Sequence, residues 1–356
     1  MIVILGSTGS IGLNTLAIAS RFNIKIEALV AGDNISLLNE QISIYKPKYV
    51  GIKESDKKHL VNHTNIFCGE EEILDMLSKC ESETIVNALV GYAGLMPTLH
   101  SIKLGKKVAL ANKESLVVAG HLIDISKITP IDSEHFGLWY LAQNKKFNKL
   151  YITASGGAFR DWDIEKIKDA TLKDALNHPN WSMGSKITID SATMTNKLFE
   201  LLEAAWLFNT TNIDAVIEKK SIIHALVEFV DGSTTAHLAG VDMKLPIAFA
   251  LLGDVKSELL KPVDLLKIGA IEFLPIETAR YPIWQIKDEI LAKPHLGVVI
   301  NAANEEAIEK YKSGKCSFIG ISKIVLDAYK KFDYLKPSNI EETIIINKEV
   351  RDYVNK

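Results

Sequence analysis

The sequence predicts an α/β protein that begins with a doubly wound parallel sheet. Over residues 1–120, short β-branched apolar runs alternate with longer segments of helical periodicity. The runs are apolar throughout, which is typical of strands buried on both faces. The first run passes directly into a turn with three glycines. Strands that are separated by helices form a parallel sheet with helices on both faces.

Five strands are predicted in this region. They are residues 2–5, 24–31, 49–52, 84–90 and 107–111. Helical patterns between them include residues 12–22 and 73–80. Open α/β sheets bind their ligands at the carboxyl ends of the strands, so polar residues that follow the strands are the first functional candidates.

The turn after the first strand predicts a dinucleotide site in a Rossmann-like domain. Gly6, Gly9 and Gly12 have the spacing GxxGxxG. Such glycines permit a tight turn, a close approach of the backbone to a pyrophosphate and close packing of helix on strand. The alternative is a plain strand-to-helix turn, which needs only one glycine. The contacts expected are from Gly6, Thr8, Gly9, Ser10 and Ile11.

The second strand ends at Gly32, Asp33 and Asn34, where the adenosine ribose should lie. An acidic residue about 20 positions after the glycine turn normally accepts the ribose 2′-OH and favours NAD over NADP. From the residues alone, Asp33 therefore argues for NAD. An N-cap of a helix beginning near Ile35 is an equally good interpretation of Asp33.

Polar residues also follow the fifth strand. Asn112, Lys113, Glu114 and Ser115 would lie at the ligand-binding edge of the sheet, where they could orient a nicotinamide and its substrate. They could equally start the next helix, with Glu114 near its positive end.

Three carboxylates form a candidate metal site. If the strand continues from residue 128 to residue 136, Asp132 and Glu134 point to one side. Two carboxylates on one face repel unless a cation or a proton lies between them. With Glu200 as a third oxygen donor, the set would suit Mg²⁺ or Mn²⁺ better than zinc. The alternative is that Asp132 and Glu134 cap a helix that follows Ser133.

Residues 178–184 predict an irregular surface loop. Pro179 and Gly184 disfavour a helix, and Trp181 and Met183 have no obvious core in which to be buried. Such a loop usually closes over a ligand.

A helix is predicted to begin after Asp190 and Ser191, which form a strong N-cap pair. Asn196 and Glu200 are four residues apart and share one face, with Lys197 beside them. Free backbone N–H groups at this end would bind a phosphate. The alternative is a capped amphipathic helix with a solvated polar face.

The predicted architecture is α/β with three domains. Residues 1–120 form the dinucleotide-binding domain, and residues 121–255 form an α+β catalytic domain. Within the latter, Ser155, Gly156 and Gly157 make a small-residue turn that could wrap a phosphate, and Asp231 and Gly232 predict a hairpin. Residues 256–280 are a linker, and residues 281–356 form a small helical domain.

Composition excludes several classes of function. The chain has 356 residues, and 41 basic against 44 acidic residues give a net charge of −3, too balanced for a general nucleic-acid or membrane footprint. Its three cysteines have no metal-binding or CxxC spacing, which fits a reducing compartment. The chain passes directly into the strand predicted at residues 2–5, and no apolar run approaches the length of a membrane span. A cytoplasmic location is therefore expected.

Several motifs occur together in the order of one family. They are residues 6–12, 111–115, 131–135, 155–157, 178–184 and 190–200. Across essentially the whole chain, the sequence resembles the 1-deoxy-D-xylulose 5-phosphate reductoisomerase family.

The resemblance implies a homodimeric enzyme of the non-mevalonate isoprenoid pathway. It would convert the sugar phosphate 1-deoxy-D-xylulose 5-phosphate into 2-C-methyl-D-erythritol 4-phosphate, with NADPH and one divalent cation, Mn²⁺, Mg²⁺ or Co²⁺. The metal ligands implied by the motifs are Asp132, Glu134 and Glu200. The substrate and phosphate contacts implied are Ser155, His178, Ser191, Asn196 and Lys197.

Other residues take roles from the same resemblance. Lys113 and Ser133 match groups near the reacting carbons, and Trp181, Met183 and Gly184 match a flap over the site. Asn112, Glu114 and Gly184 are expected on the coenzyme side, with Gly32, Asp33 and Asn34.

Two positions depart from the family pattern. Asp33 stands where Lys or Ser is common near the 2′-phosphate, so it should weaken a preference for NADPH, and Asp33→Lys should lower the KM for NADPH. Ser185 stands where a basic residue is common. The competing hypotheses are a coenzyme-sensing protein without turnover and a different sugar-phosphate oxidoreductase.

Overall fold

The structure, a computed structural model, describes residues 1–143, 145–181 and 183–356. Its strands are β1 (Ile2–Leu5), β2 (Ile26–Ala31), β3 (Tyr49–Ile52), β4 (Ile66–Cys68), β5 (Thr84–Asn87), β6 (Lys107–Leu110), β7 (Ile128–Pro130), β8 (Phe147–Ala154), β9 (Ile213–Ile217), β10 (Ile223–Phe229) and β11 (Thr234–Leu238). Its α-helices are α1 (Ser10–Arg21), α2 (Ile35–Tyr45), α3 (Gly69–Lys79), α4 (Leu95–Lys103), α5 (Lys113–Ala119), α6 (Ser133–Ala142), α7 (Ile164–Ile167), α8 (Leu172–Ala175), α9 (Ser185–Thr193), α10 (Thr195–Phe208), α11 (Lys244–Leu252), α12 (Leu265–Ile268), α13 (Lys287–Ala292), α14 (Gly297–Lys312), α15 (Phe318–Phe332) and α16 (Ile340–Asn355).

The chain divides into two compact units, each made of several segments. The first unit comprises Met1–Ser115, Ile123–Asp132 and Asp242–Leu260. The second comprises Leu116–Leu122, Ser133–Val241 and Lys261–Lys356. The boundaries predicted from the sequence at residues 120, 255 and 280 concern functional domains and stay a prediction. No described helix is long and apolar enough to cross a membrane.

The first unit contains a seven-stranded sheet in the order β4-β3-β2-β1-β5-β6-β7, in which all pairs are parallel. The predicted doubly wound sheet is thereby confirmed. Alternate side chains of β1 enter different cores: Ile4 packs with residues of α1 and α2, whereas Val3 packs with residues of α3. Both faces of the strand are buried, which is why its sequence is apolar throughout.

The second unit contains a four-stranded sheet in the order β11-β10-β8-β9. The β10–β11 and β10–β8 pairs are antiparallel, and the β8–β9 pair is parallel. The hairpin between β10 and β11 turns at Gly232, which has a φ of +86°. Helix α6 packs against this sheet, and α14, α15 and α16 pack on one another. The sheet and helices confirm the predicted mixed α+β class.

The strand does not continue from residue 128 to residue 136, which was one of the two interpretations of this segment. Strand β7 ends at Pro130, and α6 begins at Ser133, so Glu134 lies in the first turn of a helix. An acidic side chain is favourable there because the helix N-terminus carries a partial positive charge. The helical alternative for this segment was therefore the correct one.

The predicted helix start after Asp190 and Ser191 is also wrong. Both residues lie inside α9, which begins after Gly184 and ends where Met194 adopts a left-handed conformation with a φ of +71°. Helix α10 starts at the next residue, so Asn196 and Lys197 are in its first turn. The break is buried, since Met194 is only 2% exposed, and surrounding packing therefore compensates for its strained backbone.

Candidate active site

Three carboxylates converge where β7 leads into α6. Asp132 follows β7, Glu134 lies two residues further along the chain, and Glu200 projects from the second turn of α10. One oxygen atom from each carboxylate lies within 4.8 Å of the others. Glu200 is only 2% exposed, so its charge is shielded little by water. Such a cluster needs positive charge close by.

Two lysines supply part of that charge. The Nζ atom of Lys197 lies 2.9 Å from Glu134 Oε1 and also forms an ion pair with Glu200. Lys113 Nζ lies 3.5 Å from Asp132 Oδ2. Lys113 and Lys197 thus place two ammonium groups against the three carboxylates. Buried ion pairs contribute little net stability, so this concentration of charge points to a functional role.

The donor set fits a hard divalent cation. The three side chains offer only carboxylate oxygens, which are the ligands that Mg²⁺ and Mn²⁺ prefer. The shared negative charge of the cluster favours a cation over a neutral ligand. Asp132, Glu134 and Glu200 are therefore the residues that would hold it.

Helix α10 orders the polar groups around Glu200. Asn196 Nδ2 donates to Glu200 Oε1 over 2.5 Å, as expected for residues four positions apart on one face. The fully buried His135 lies with its Nε2 atom 2.9 Å from the carbonyl oxygen of Glu200. Its ring thereby fixes the backbone that carries this carboxylate. Ser133 donates its hydroxyl to Glu134, which orients a second carboxylate.

Ser155 and His178 form a hydrogen-bonded pair. His178 Nε2 lies 2.9 Å from Ser155 Oγ. The Nδ1 atom of His178 accepts the backbone N–H groups of Asn180 at 3.1 Å and Trp181 at 2.9 Å. An acceptor at Nδ1 requires the proton on Nε2, so the ring donates to Ser155. Burial, with a smaller effect of Arg160, lowers the pKa of His178 to about 4, so the ring is neutral at pH 7.

The glycine turn that follows Ser155 packs against Ser191. Gly156 and Gly157 have φ values of +88° and +69°. A Cβ atom on Gly157 would lie 2.5 Å from the carbonyl oxygen of Ser191. Tyr281 donates its hydroxyl to the Gly156 carbonyl over 2.8 Å and holds the turn from the other side. The positive φ values and the close contact with Ser191 explain why the turn predicted here is built from small residues.

The loop that precedes α9 is attached at its centre. Asn180 Nδ2 donates to the carbonyl oxygen of Lys219 over 2.8 Å and to Ser221 Oγ over 2.6 Å. The Trp181 ring meets the ring of His224 edge-on, with centroids 6.4 Å apart. Ser182, in the same motif, lies outside the described residues. The closing motion predicted for this loop stays a prediction.

The glycine turn after β1 has the geometry that its spacing predicts. Gly6 has a φ of +87°, and a Cβ atom there would lie 2.5 Å from the Ala88 carbonyl oxygen. A Cβ atom on Gly12 would overlap the Gly6 carbonyl oxygen, which shows how closely α1 packs on the turn. Gly9 is exposed and directly precedes α1. Thr8, Ser10 and Ile11 flank it, and the free N–H groups of α1 lie beside them.

Asn34, and not Asp33, caps α2. The Oδ1 atom of Asn34 accepts the backbone N–H of Leu37 over 3.1 Å, so the capping interpretation of Asp33 is wrong. The Asp33 carboxylate instead forms an ion pair with Lys57, whose Nζ atom lies 2.5 Å from Asp33 Oδ1. Hydrogen bonding to Lys57 lowers the pKa of Asp33.

Asn112 links the ends of two strands. Its Nδ2 atom donates to the carbonyl oxygens of Leu89 and Gly91 and to Glu114 Oε2, over 2.8–3.1 Å. Its Oδ1 atom accepts from the backbone N–H of Ser115 at the start of α5. The segment therefore begins a helix, as the alternative held, while Lys113 faces Asp132.

Sequence reasoning missed several of these groups. Lys57, His135 and Tyr281 contact candidate residues that lie 24–125 positions away in the chain, and Arg160 donates to the carbonyl oxygen of Ser155, five positions away. Only His135 had a signal, because it lies beside Ser133 and Glu134.

Comparisons with known proteins agree along the whole chain. Residues 2–120 match the family model of 1-deoxy-D-xylulose 5-phosphate reductoisomerase, residues 128–208 match its C-terminal domain, and residues 238–353 match the DXP reductoisomerase C-terminal domain. The 1-deoxy-D-xylulose 5-phosphate reductoisomerase of Nautilia profundicola is 61% identical over 359 residues, which cover 99% of this chain and 98% of the relative. The Campylobacter hominis protein of the same name is 54% identical, with 99% and 98% covered.

Solved structures are similar at the same level. A crystal structure of DOX-P reductoisomerase in complex with NADPH, fosmidomycin and magnesium has a TM-score of 0.92 and 34% identity, with 99% of this chain and 97% of that chain covered. The Zymomonas mobilis enzyme in complex with NADPH has a TM-score of 0.88 and 30% identity, with the same coverage. With family models matching most of its length and relatives far above 30% identity, this chain belongs to the 1-deoxy-D-xylulose 5-phosphate reductoisomerase family.

Proposed function

We propose that the protein converts 1-deoxy-D-xylulose 5-phosphate into 2-C-methyl-D-erythritol 4-phosphate, with NADPH and a divalent cation. The observation that carries this function is the convergence of Asp132, Glu134 and Glu200 in a chain that belongs to the family from end to end. A protein that only senses a coenzyme has no use for three carboxylates within 4.8 Å of one another.

When bound, the cation would act as a Lewis acid that stabilises negative charge on the substrate oxygens, and the coenzyme would supply a hydride. The chain's own residues hold and orient them. Asp132, Glu134 and Glu200 bind the cation, and Ser133 orients Glu134 by its hydrogen bond. Lys113 holds a positive charge beside Asp132, close to where the carbon skeleton would react.

The substrate phosphate is assigned to the other polar groups of the second unit. Ser155 Oγ accepts hydrogen bonds from His178 Nε2 and the Gly157 backbone N–H, so its own proton points to a further acceptor. Asn196 and Lys197 lie in the first turn of α10, where backbone N–H groups favour an anion. Ser191 adjoins the Gly157 turn. Trp181 lies on the loop that would cover the substrate.

The coenzyme is assigned to the carboxyl edge of the seven-stranded sheet. Gly6, Thr8, Gly9, Ser10 and Ile11 would contact the pyrophosphate, and Gly32, Asp33 and Asn34 the ribose. Asn112 and Glu114 would support the nicotinamide side, together with Gly184. In this proposal residues 1–120 are the coenzyme domain, residues 121–255 the catalytic domain, residues 256–280 a linker and residues 281–356 a helical domain.

Assembly and location extend the same proposal. A homodimer is expected from the family, and a cytoplasmic location is expected as well. The balanced charge offers no footprint for nucleic acid or an anionic membrane surface. Sedimentation of the purified protein would show whether a dimer forms.

The test is turnover by purified protein with Mn²⁺, followed through loss of the reduced nicotinamide absorbance, with NADPH and NADH in parallel. Metal-dependent oxidation that needs 1-deoxy-D-xylulose 5-phosphate would support the proposal. Folded protein that binds NADPH without turnover would favour the sensor. Fosmidomycin with Mg²⁺ is a second probe, because it should raise the Tm if the substrate site is the proposed one.

A further inference from the structure

We propose that Lys57 is a specificity-determining residue for the coenzyme, which neutralises Asp33 and binds the 2′-phosphate of NADPH. The inference rests on the proposed function and concerns its choice of coenzyme. An acidic residue at the end of β2 normally favours NAD, because it accepts the ribose 2′-OH and repels a 2′-phosphate. Lys57 is the group that would reverse this preference.

The topology brings the two residues to one edge of the sheet. Strands β2 and β3 are parallel neighbours with Ala31 opposite Ile52, so the segments that follow them leave the sheet side by side. Asp33 follows β2, and a 3₁₀-helix at Ser55–Leu60, which carries Lys57, follows β3. The 2.5 Å between Lys57 Nζ and Asp33 Oδ1 places the ammonium group where the ribose is expected.

Lys57 neutralises the charge of Asp33 where the ribose is expected. Hydrogen bonding to Lys57 and the charges of Lys57 and Lys53 lower the pKa of Asp33, so its carboxylate is ionised at pH 7. Neutralisation must therefore come from the lysines and not from a proton. Hydrogen bonding to Asp33 raises the pKa of Lys57, so its ammonium group is fully charged.

Exposure allows Lys57 to change partner. The Asp33 side chain is 72% exposed and that of Lys57 is 32% exposed. Ion pairs in such surroundings are weak because water screens both charges. A phosphate dianion offers a stronger partner than one carboxylate, and the flexible lysine stem can reach it from the same place. With NADH, the pair stays intact and Asp33 accepts the 2′-OH.

The experiment measures calorimetric binding of 2′,5′-ADP and ADP to the full chain. Lys57→Gln should weaken 2′,5′-ADP binding roughly tenfold, since the contact involves two charged groups, and should leave ADP binding nearly unchanged. Lys58→Gln is the matched control, because it removes the same charge from the next residue of the same 3₁₀-helix. An equal loss in both variants would overturn the assignment to Lys57.

A second pair of variants separates neutralisation from contact. Asp33→Asn should strengthen 2′,5′-ADP binding, and adding Lys57→Gln to it should weaken binding again. If the double variant binds as tightly as Asp33→Asn alone, Lys57 makes no contact with the phosphate and the proposal fails. Unchanged Tm values would show that the variants fold.

The outcomes for the two proposals are separable. If the protein turns over no sugar phosphate but Lys57→Gln loses 2′,5′-ADP binding, the proposed function is wrong and the assignment of Lys57 to the coenzyme still holds. If the protein turns over the sugar phosphate but Lys57→Gln binds 2′,5′-ADP with unchanged affinity, the proposed function holds and the assignment of Lys57 is wrong. In the active enzyme, the KM for NADPH should rise in Lys57→Gln while kcat stays close to that of the unmodified chain.

Discussion

His178 is held at both ring nitrogens, with Nε2 2.9 Å from Ser155 Oγ and Nδ1 facing the backbone N–H groups of Asn180 and Trp181. Because Nδ1 accepts two hydrogen bonds, the neutral Nε2–H form is the one that the site selects. A second proton would have to displace these backbone groups. Because of this arrangement and of burial, the geometry of the site depends on His178 remaining neutral.

We therefore expect a dependence of stability on pH. The pKa of His178 is about 4 in the folded protein and about 6.5 when unfolded, so the unfolded chain binds the proton more tightly. Its contribution is complete above about pH 6.5 and is lost as the pH falls towards 4. His178→Gln should flatten the fall of Tm over this range. His237, whose pKa burial also lowers to about 4, should keep part of the slope in the variant.

The control is the exposed His59 of the first unit, where a change to Gln should leave the Tm profile unaltered. A Tm displaced equally at every pH in His178→Gln would mean that the side chain acts through packing alone.

Removal of one carboxylate should abolish the metal effect. In the unmodified chain, Mn²⁺ at 100 times its Kd should stabilise the fold by about 2.7 kcal/mol relative to EDTA. Glu200→Gln keeps the shape of the side chain but removes its charge, so this rise in Tm should disappear and kcat should fall by roughly two orders of magnitude or more. Glu165→Gln, at an exposed position of the short helix α7, should keep both. A full Mn²⁺ response in Glu200→Gln would place the ion elsewhere.

Gly157→Ala should disturb the substrate site through its backbone. The new Cβ atom would lie 2.5 Å from the Ser191 carbonyl oxygen, at a φ of +69°. Strain and overlap together should cost about 2–4 kcal/mol of unfolding free energy. Gly232→Ala, also at a positive φ but with nothing within 4 Å, should cost only about 1 kcal/mol. If urea unfolding shows equal losses of unfolding free energy in the two variants, the contact with Ser191 does not contribute to the cost.

Asn304→Ala should raise the KM for the sugar phosphate. Asn304 Nδ2 donates to the buried Asp190 Oδ1 over 2.7 Å, and Lys186 pairs with the other oxygen at 3.0 Å. Without the amide, the carboxylate is under-satisfied, which should cost about 1–3 kcal/mol and shift the adjoining Ser191. Asn301→Ala, one turn earlier and equally buried, is the control for lost packing. If the KM rises equally in both variants, the effect comes from lost packing and not from the hydrogen bond to Asp190.

The parallel sheet was predictable because buried strands leave a local signature. Strands β1 and β3 have the predicted bounds, and β2, β5 and β6 differ by one to three residues. Strand β4 was missed, since three residues are too few to show a period, and β7 ends at Pro130 instead of continuing to residue 136. Helix α16 lies in the region predicted to be helical, but its start was not predicted, although its N-cap, Asn339, accepts from the Glu342 backbone N–H as a capping residue should.

The carboxylate cluster was predicted through a wrong local structure. Asp132 and Glu134 do not alternate along a strand, because the chain turns into α6 between them. They meet Glu200 nonetheless, since α10 passes beside that turn and the lysines Lys113 and Lys197 share the charge. The residue types predicted a candidate metal site, whereas the backbone path that brings the three carboxylates together depends on packing.

The sequence by itself determined the sheet and the glycine turn of Gly6 and Gly12, because each depends on neighbours within a few positions. It also supplied the residue types of the carboxylate cluster. Only the tertiary structure decided that Asp33 pairs with Lys57 and that the helix breaks at Met194. Those features depend on side chains and strand neighbours that lie far apart in the chain. No local period or motif encodes which of several lysines reaches a given carboxylate, since burial and strand order make that choice.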